Sequence, residues 1–231
     1  MRISLPPSLI EKARAYADGS VTPVEPRDAA TVLLLRPGAD GPEVFVMRRR
    51  TSMAFAGGMV AFPGGGVAPE DVVDLADGWV ERLGAASPVQ AAAVVAAAVR
   101  ELEEETGVIL APSELGLWDA WTTPVFETRR YRTWFFTALL PEGQEALELS
   151  TESSSVEWVS PAAALDRADA GEWTMLPPTY GSMLRLATFS SVEEVMAETV
   201  EARVAMFTPT LEGELLTAPD WMVPLLEARR R

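Results

Sequence analysis

Three glutamates, Glu101, Glu104 and Glu105, fall on one face of a predicted helix, because successive helical residues turn by ~100°. Val95, Ala98, Val99 and Leu102 fall on another face, which can bury, and Glu103 points elsewhere. Glu101 and Glu105 are like charges one turn apart, and all three acids sit in the last turns, where the helix dipole is negative. Each fault costs a few tenths to ~1 kcal/mol. Carboxylates gathered against local preference suit a divalent cation, which converts their repulsion into binding energy. The competing reading is a solvated acidic face paired with Arg100 and other arginines. Phe62-Pro63-Gly64-Gly65-Gly66 follows a predicted strand. Glycines there let the backbone approach a ligand closely, or else form a plain turn.

Composition narrows the chemistry further. The 231 residues include no cysteine and no histidine. That rules out disulfides, zinc sites built from Cys or His, a cysteine nucleophile and a Ser-His-Asp triad. Lys12 is the only lysine and lies beside no glycine-rich loop, so there is no P-loop. A metal site must use oxygen ligands, which suits Mg, Mn or Ca. The formal charge of −15 predicts no nucleic-acid partner and no anionic membrane surface. No apolar run reaches the ~18 residues of a membrane span, and Met1–Tyr16 lacks a charged-then-apolar leader pattern. The expected location is therefore cytoplasmic.

The elements that must position these residues follow from spacing and punctuation. Ser87-Pro88 supplies an N-cap serine and a proline at the first helical position, and Gly107 closes the helix that carries the glutamates. Ala29–Arg36 reads as a buried strand, Glu43–Arg48 as a second, and Met59–Phe62 as a short third. Asp71–Leu83 reads as a helix with Val72, Leu75, Trp79 and Leu83 on its apolar face, stopped by Gly84. Val108–Leu110, Leu117–Thr122, Tyr131–Leu140 and Val156–Val159 read as strands. Ser160-Pro161 opens a helix through Arg167, Ser191 with Glu194 opens another to about Val204, and the tail from Phe207 reads as irregular. Pro6–Ala17 reads as an amphipathic helix, with Leu9, Ile10, Ala13 and Tyr16 on one side. Strands mixed with helices predict an α+β domain layered α/β/α. The expected division is an N-terminal helix and linker over 1–28 and one domain over 29–231. That domain carries an insertion at 72–87 and a helical C-terminal extension at 188–231.

Arg100-Glu101-Leu102-Glu103-Glu104-Glu105-Thr106-Gly107-Val108 resembles the ending of the Nudix (MutT-like) box at every position. Gly65 resembles its leading glycine, and Asp71 stands six residues on, where the box has its first glutamate. The box normally places its arginine 14 residues after the glycine. Here the interval from Gly65 to Arg100 is 35, so about 21 residues are inserted. The interrupted box, with Arg49, Gly58–Gly65, Trp121–Pro124, Glu157–Ala162 and Leu176–Thr179, resembles the branch that includes coenzyme A diphosphatases. One coenzyme A signature carries a His and a further Arg where this chain has Ala56 and Ala54.

The resemblance covers roughly Ala29–Arg167 and implies a mixed β-sheet sandwiched between helices, with an extra helix inside the box. It implies metal-dependent hydrolysis of a nucleoside diphosphate linked to another group, coenzyme A or an acyl-CoA first. ADP-ribose or a nucleotide sugar is the alternative, as is a non-catalytic nucleotide-binding module. By the same resemblance Glu101, Glu104 and Glu105 ligate Mg2+ or Mn2+, with the Gly65 carbonyl as a further donor. Arg100 orients a glutamate, and Glu104 and Arg100 stand with the catalytic residues. Glu152, in a Ser-rich loop, is the candidate base, or else an exposed loop glutamate. Arg48, Arg49, Arg50, Arg129 and Arg130 are candidates for substrate phosphates, or else partners of the many acids. Phe126 and Trp121 are candidates for stacking a base or pantetheine, or else core. Ala54–Gly58 is a candidate mobile loop. The family's habit allows a homodimer, with the N-terminal helix, the insertion and Glu193–Arg231 as candidate interface elements.

Overall fold

The computed structural model describes residues 2–4, 7–19, 22–51, 56–213 and 215–230, with the side chains of 2–4 and 7–10 left aside. Strand β1 (Arg2–Ser4) and helix α1 (Pro7–Ala17) precede the main sheet. There follow β2 (Arg27–Gly38), β3 (Gly41–Arg49), β4 (Val60–Ala61), β5 (Gly64–Gly66), α2 (Trp79–Leu83) and α3 (Pro88–Thr106). Then come β6 (Gly116–Thr122), β7 (Tyr131–Leu139), β8 (Ser153–Val159), α4 (Pro161–Asp169), α5 (Pro177–Leu186) and α6 (Val192–Thr199). The chain ends with β9 (Leu211–Glu212), β10 (Leu215–Thr217) and α7 (Met222–Arg229). Among the described residues no helix is long and apolar enough to cross a membrane.

The mixed sheet is built around β2. On one edge β2 runs parallel to β7, from Arg27↔Tyr131 to Leu35↔Leu139, and β6 lies antiparallel beyond β7. On its other edge β2 pairs with β3 only from Leu35↔Val44 to the Gly38↔Gly41 turn. The two strands then part. β4 pairs with β3 and β5 pairs with β2 inside the gap, while β8 covers the far edge of β3. Pro63 bridges the gap, its carbonyl accepting the Val32 N–H at 2.8 Å and the Thr31 hydroxyl at 2.6 Å.

Strand alternation sorts side chains onto two layers. Ala30, Val32, Leu34, Phe45 and Met47 pack with Val94, Val95, Ala98 and Leu102 of α3. Leu33, Leu35, Val44 and Val46 pack on the other face with Leu165 of α4, Met183 and Leu186 of α5, Val195 of α6 and Met222 of α7. The result is the expected α/β/α sandwich. Helix α3 is held as its sequence predicts. The Ser87 hydroxyl accepts the Gln90 N–H at 3.2 Å, Pro88 opens the first turn, and Gly107 at φ 77° returns its N–H to Glu103 O at 2.8 Å. Truncating Leu102, which is fully buried, costs about 2–5 kcal/mol in such a core.

Several expectations are corrected. The inserted helix begins only at Trp79, and Val72 is 80% exposed. Asp71 is the reason, since its carboxylate accepts the Ala68 N–H at 2.7 Å and the Arg100 guanidinium, which closes a turn where the helix would start. Val108–Leu110 joins no strand. Pro177-Pro178 opens α5, a helix outside the predicted elements. The tail is regular: β10 pairs with both β9 and β1, so the C-terminal extension is strand as well as helix. Ala13 of α1 packs with Phe126 and Leu216, and Lys12 pairs with Glu127 at 2.8 Å, which docks α1 on the β6–β7 connection. The expected roles of Leu9 and Ile10 in α1 lie outside the described side chains, and Ala54 and Phe55 of the candidate loop lie outside the described residues.

Candidate active site

The acidic end of α3 lies against the glycine strand β5. Glu105 is 7% exposed, and its Oε2 accepts the Gly64 N–H at 2.8 Å. Gly64 has φ 154°, and a Cβ there would stand 2.4 Å from Ala30 O, so only glycine fits. At Gly65 a Cβ would stand 2.4 Å from the Glu101 carboxyl. The glycines therefore let two carboxylates sit directly on backbone. Glu104, a turn from Glu101, is exposed.

Electrostatics sets the two inner carboxylates apart from ordinary surface acids. Burial pushes the Glu105 carboxyl up to about 7, and Glu101 and Glu152 add to it against the opposing Gly64 N–H and Arg49 charge. Burial also pushes Glu101 up, with the hydrogen bond and charge of Arg100 working the other way. Glu101 thus raises Glu105, and burial raises both, so each carboxylate is harder to ionise than a surface acid.

Arg100 holds this array together. Its Nε and Nη2 donate to the two oxygens of Asp71 at 2.7 and 2.9 Å, and Nη2 also donates to Gly66 O at 3.0 Å. Nη1 donates to Glu101 at 2.8 Å and to Glu104 at 3.3 Å. Burial alone would raise the Asp71 carboxyl. The hydrogen bonds from Arg100 and Ala68, with the Arg100 charge, overcome this and hold it below its ordinary value. The bond to Asp71, above all, keeps Arg100 protonated. Asp71 thus anchors the arginine that positions Glu101, a role that residue-by-residue reading missed. The box spacing of six from Gly65 was the signal available for it. The long insertion lies entirely between Asp71 and α3, so it leaves their meeting intact.

The loop ahead of β8 brings in Glu152. Leu147 and Leu149 N–H groups donate to Thr106 O at 2.9 Å and Glu105 O at 3.1 Å, which pins this loop to the end of α3. On the other side Arg50 N–H donates to Glu152 O at 2.8 Å, and Arg50 Nε to Ser153 O at 2.8 Å. Glu152 is exposed, with Arg49 Nη2 at 3.5 Å.

The remaining candidates are spread out. Arg49 continues the Phe45 and Met47 face toward α3. Arg48 lies on the opposite face, exposed beside Val46, Val60 and Trp173. Arg129 is exposed in the β6–β7 connection. Two candidates are corrected. Arg130 is buried, donating to Thr123 O at 3.1 Å and Val24 O at 2.8 Å, so it ties loops together instead of facing a ligand. Phe126 is 3% exposed among Ala13, Leu216, Val125 and Leu211, so it is core and offers no stacking face. Trp121 is likewise buried, edge-on to Phe207.

Among the described residues no three carboxylates are already drawn into a ready ligand cluster. The donor chemistry nonetheless fits a hard divalent cation: only oxygen donors, two of them carboxylates that burial raises, on a backbone cleared by Gly65.

The family model for the NUDIX domain matches residues 25–178. The chain belongs to the Nudix family. The family's hydrolases cleave pyrophosphate bonds in nucleoside diphosphate derivatives and generally use divalent metal ions. The Nudix fold recurs in a crystal structure of a NUDIX hydrolase from Alicyclobacillus acidocaldarius. Its TM-score is 0.64 at 23% identity, over 76% of this chain and 97% of that one. The chain is 26% identical over 165 residues to a Caenorhabditis elegans protein named as nudix hydrolase 7, covering 62% of this chain and 55% of that protein. It is 32% identical over 111 residues to the acyl-coenzyme A diphosphatase NUDT19 of Homo sapiens, covering 47% of this chain and 29% of that protein. The chain thus spans about half or less of the curated relatives it matches.

Proposed function

We propose that this Nudix protein hydrolyses the pyrophosphate bond of a nucleoside diphosphate conjugate, with coenzyme A or an acyl-CoA as the substrate. The observation that carries the hydrolase reading is half-buried Glu101 beside buried Glu105 at the glycine strand, the first held by Arg100 and Asp71 and the second by the Gly64 N–H. The 32% identity to an acyl-coenzyme A diphosphatase supports the choice of substrate.

Glu101, Glu104 and Glu105, with the Gly65 carbonyl, would hold Mg2+ or Mn2+. When bound, such a cation neutralises pyrophosphate charge and lowers the pKa of water near it. The protein's own contributions are specific. Asp71 fixes Arg100, and Arg100 holds Glu101 and Glu104 on one side of the site. The Gly64 N–H fixes Glu105 on the other side. Glu152 accepts the proton of the water that attacks phosphorus, as the bond from that phosphorus to the bridging oxygen breaks. Two phosphate monoesters leave. For coenzyme A these are an adenosine bisphosphate and a phosphopantetheine.

The test is a substrate panel with Mg2+ or Mn2+, containing coenzyme A, an acyl-CoA, ADP-ribose and a nucleotide sugar, with products resolved by mass spectrometry. Higher kcat/KM on coenzyme A or the acyl-CoA, releasing phosphopantetheine, is expected. Preference for ADP-ribose or the sugar overturns the substrate assignment. Tight binding without turnover on any member overturns the enzymatic reading. Glu152→Gln should lower kcat by about 10²–10⁴ with KM little changed.

A further inference from the structure

The sequence Arg48-Arg49-Arg50 leaves open which arginine meets substrate. We propose that Arg49 alone of the three receives the pyrophosphate anion, its guanidinium donating to phosphoryl oxygens between Glu105 and Glu152. This rests on the diphosphatase reading above.

Three observations carry it. The first is unmet bonding. Among the described residues Arg49 Nε is buried without a hydrogen-bond partner, and Nη2 reaches only the exposed Glu152, at 3.5 Å. A buried donor left unpaired is rare and costly, and a charged one more so, so the position calls for an acceptor that the described residues do not supply. The second is location. Arg49 shares the strand face of Phe45 and Met47, which packs against α3, and its charge acts directly on Glu105. The β3–β8 register slips there on the β8 side, Arg48 facing Ser155 and Arg49 facing Ser153, so the alternation of β3 runs on through Arg49. The third is the state of its neighbours. Arg48 points to the opposite face, and Arg50 Nε is already given to Ser153 O.

The chemistry suits the ligand class. A site with four glutamates repels a polyanion unless cations offset them. A guanidinium presents parallel N–H groups that match two oxygens of a phosphoryl group, as a lysine ammonium does not.

The test is calorimetric titration of inorganic pyrophosphate, with Mg2+ present, into wild type, Arg49→Ala, Arg49→Lys and Arg48→Ala. Arg49→Ala should weaken binding by about 10–100-fold, the size of a lost charged hydrogen bond. Arg49→Lys should recover only part, and Arg48→Ala should stay within about threefold of wild type. Arg49→Gln replaces Arg49→Ala if the alanine variant does not fold. Equal affinity in wild type and the Arg49 variants, equal losses for Arg48 and Arg49, or no binding to wild type overturns the proposal. Binding does not depend on turnover. Selective loss in the Arg49 variants, with no hydrolysis of any panel substrate by wild type, would therefore uphold this assignment while overturning the diphosphatase reading.

Discussion

Asp71→Ala tests whether the Asp71–Arg100 pair is what organises the acidic helix end. The Asp71 side chain is 2% exposed and that of Arg100 is 25% exposed. Removing one partner of a buried ion pair costs about 3–5 kcal/mol, because the other charge stays buried and uncompensated. Arg100 keeps Gly66 O, Glu101 and Glu104 as acceptors, and part of it meets water. The expected loss is therefore about 2–3 kcal/mol, or about 4–12 °C in Tm for a domain of this size. Function should suffer separately. Groups that orient metal ligands are worth about 10–100-fold in metal affinity. Differential scanning calorimetry without metal reads the first effect, and the Mn2+ concentration giving half-maximal activity reads the second. Asp71→Asn, which keeps the shape and loses the charge, should fall between the two. A Tm within about 1 °C of wild type together with an unchanged Mn2+ requirement would rule out this role for Asp71.

Three further outcomes follow from the same geometry. Glu105 titrates near 7 in the folded protein, above the ordinary 4.5, so its contribution to stability is complete at low pH and is lost as pH rises toward 7. The metal-free wild type should lose about 3 kcal/mol more than Glu105→Gln between pH 4.5 and 8, and parallel melting profiles would contradict this. Gly65→Ala pushes against the flexible end of Glu101, so it should keep its Tm yet lose about 10–100-fold in metal affinity. Gly64→Ala meets fixed backbone at a positive φ and should lose at least about 1–3 kcal/mol in stability, and equal Tm values for the two variants would count against the account. Phe126→Ala should cost about 3 kcal/mol in chemical denaturation with KM unchanged, whereas a raised KM with full stability would restore its stacking role.

What was legible in the sequence was local or rhythmic. Ser87, Pro88 and Gly107 fix both ends of α3 through backbone bonds within a few residues of themselves. The periodicity of α3 then places the glutamates without reference to the rest of the chain. The Asp71–Leu83 helix failed because its apolar rhythm was real but its first turn was already committed, through Asp71, to an arginine 29 residues away. The glycine run gave no sign that it would be a strand, since β5 exists only where β2 and β3 part. Phe126 and Arg130 depart from expectation for a similar reason. Their burial depends on α1, on β10 and on the segment before β2, which are distant in the chain. The alternation Val44, Val46, Arg48 against Phe45, Met47, Arg49 was present all along and separates the two arginines by face.

The measurement that bears most directly on the central claim is hydrolysis of coenzyme A or an acyl-CoA by Glu104→Gln beside wild type, across Mg2+ and Mn2+ concentrations. Glu104 is exposed, so the substitution should leave Tm unchanged. Wild type should release phosphopantetheine only with metal, and the variant should be slower by at least ~100-fold. Metal-independent turnover by wild type, or equal rates in the two proteins, would contradict the assignment of these glutamates to a catalytic metal site.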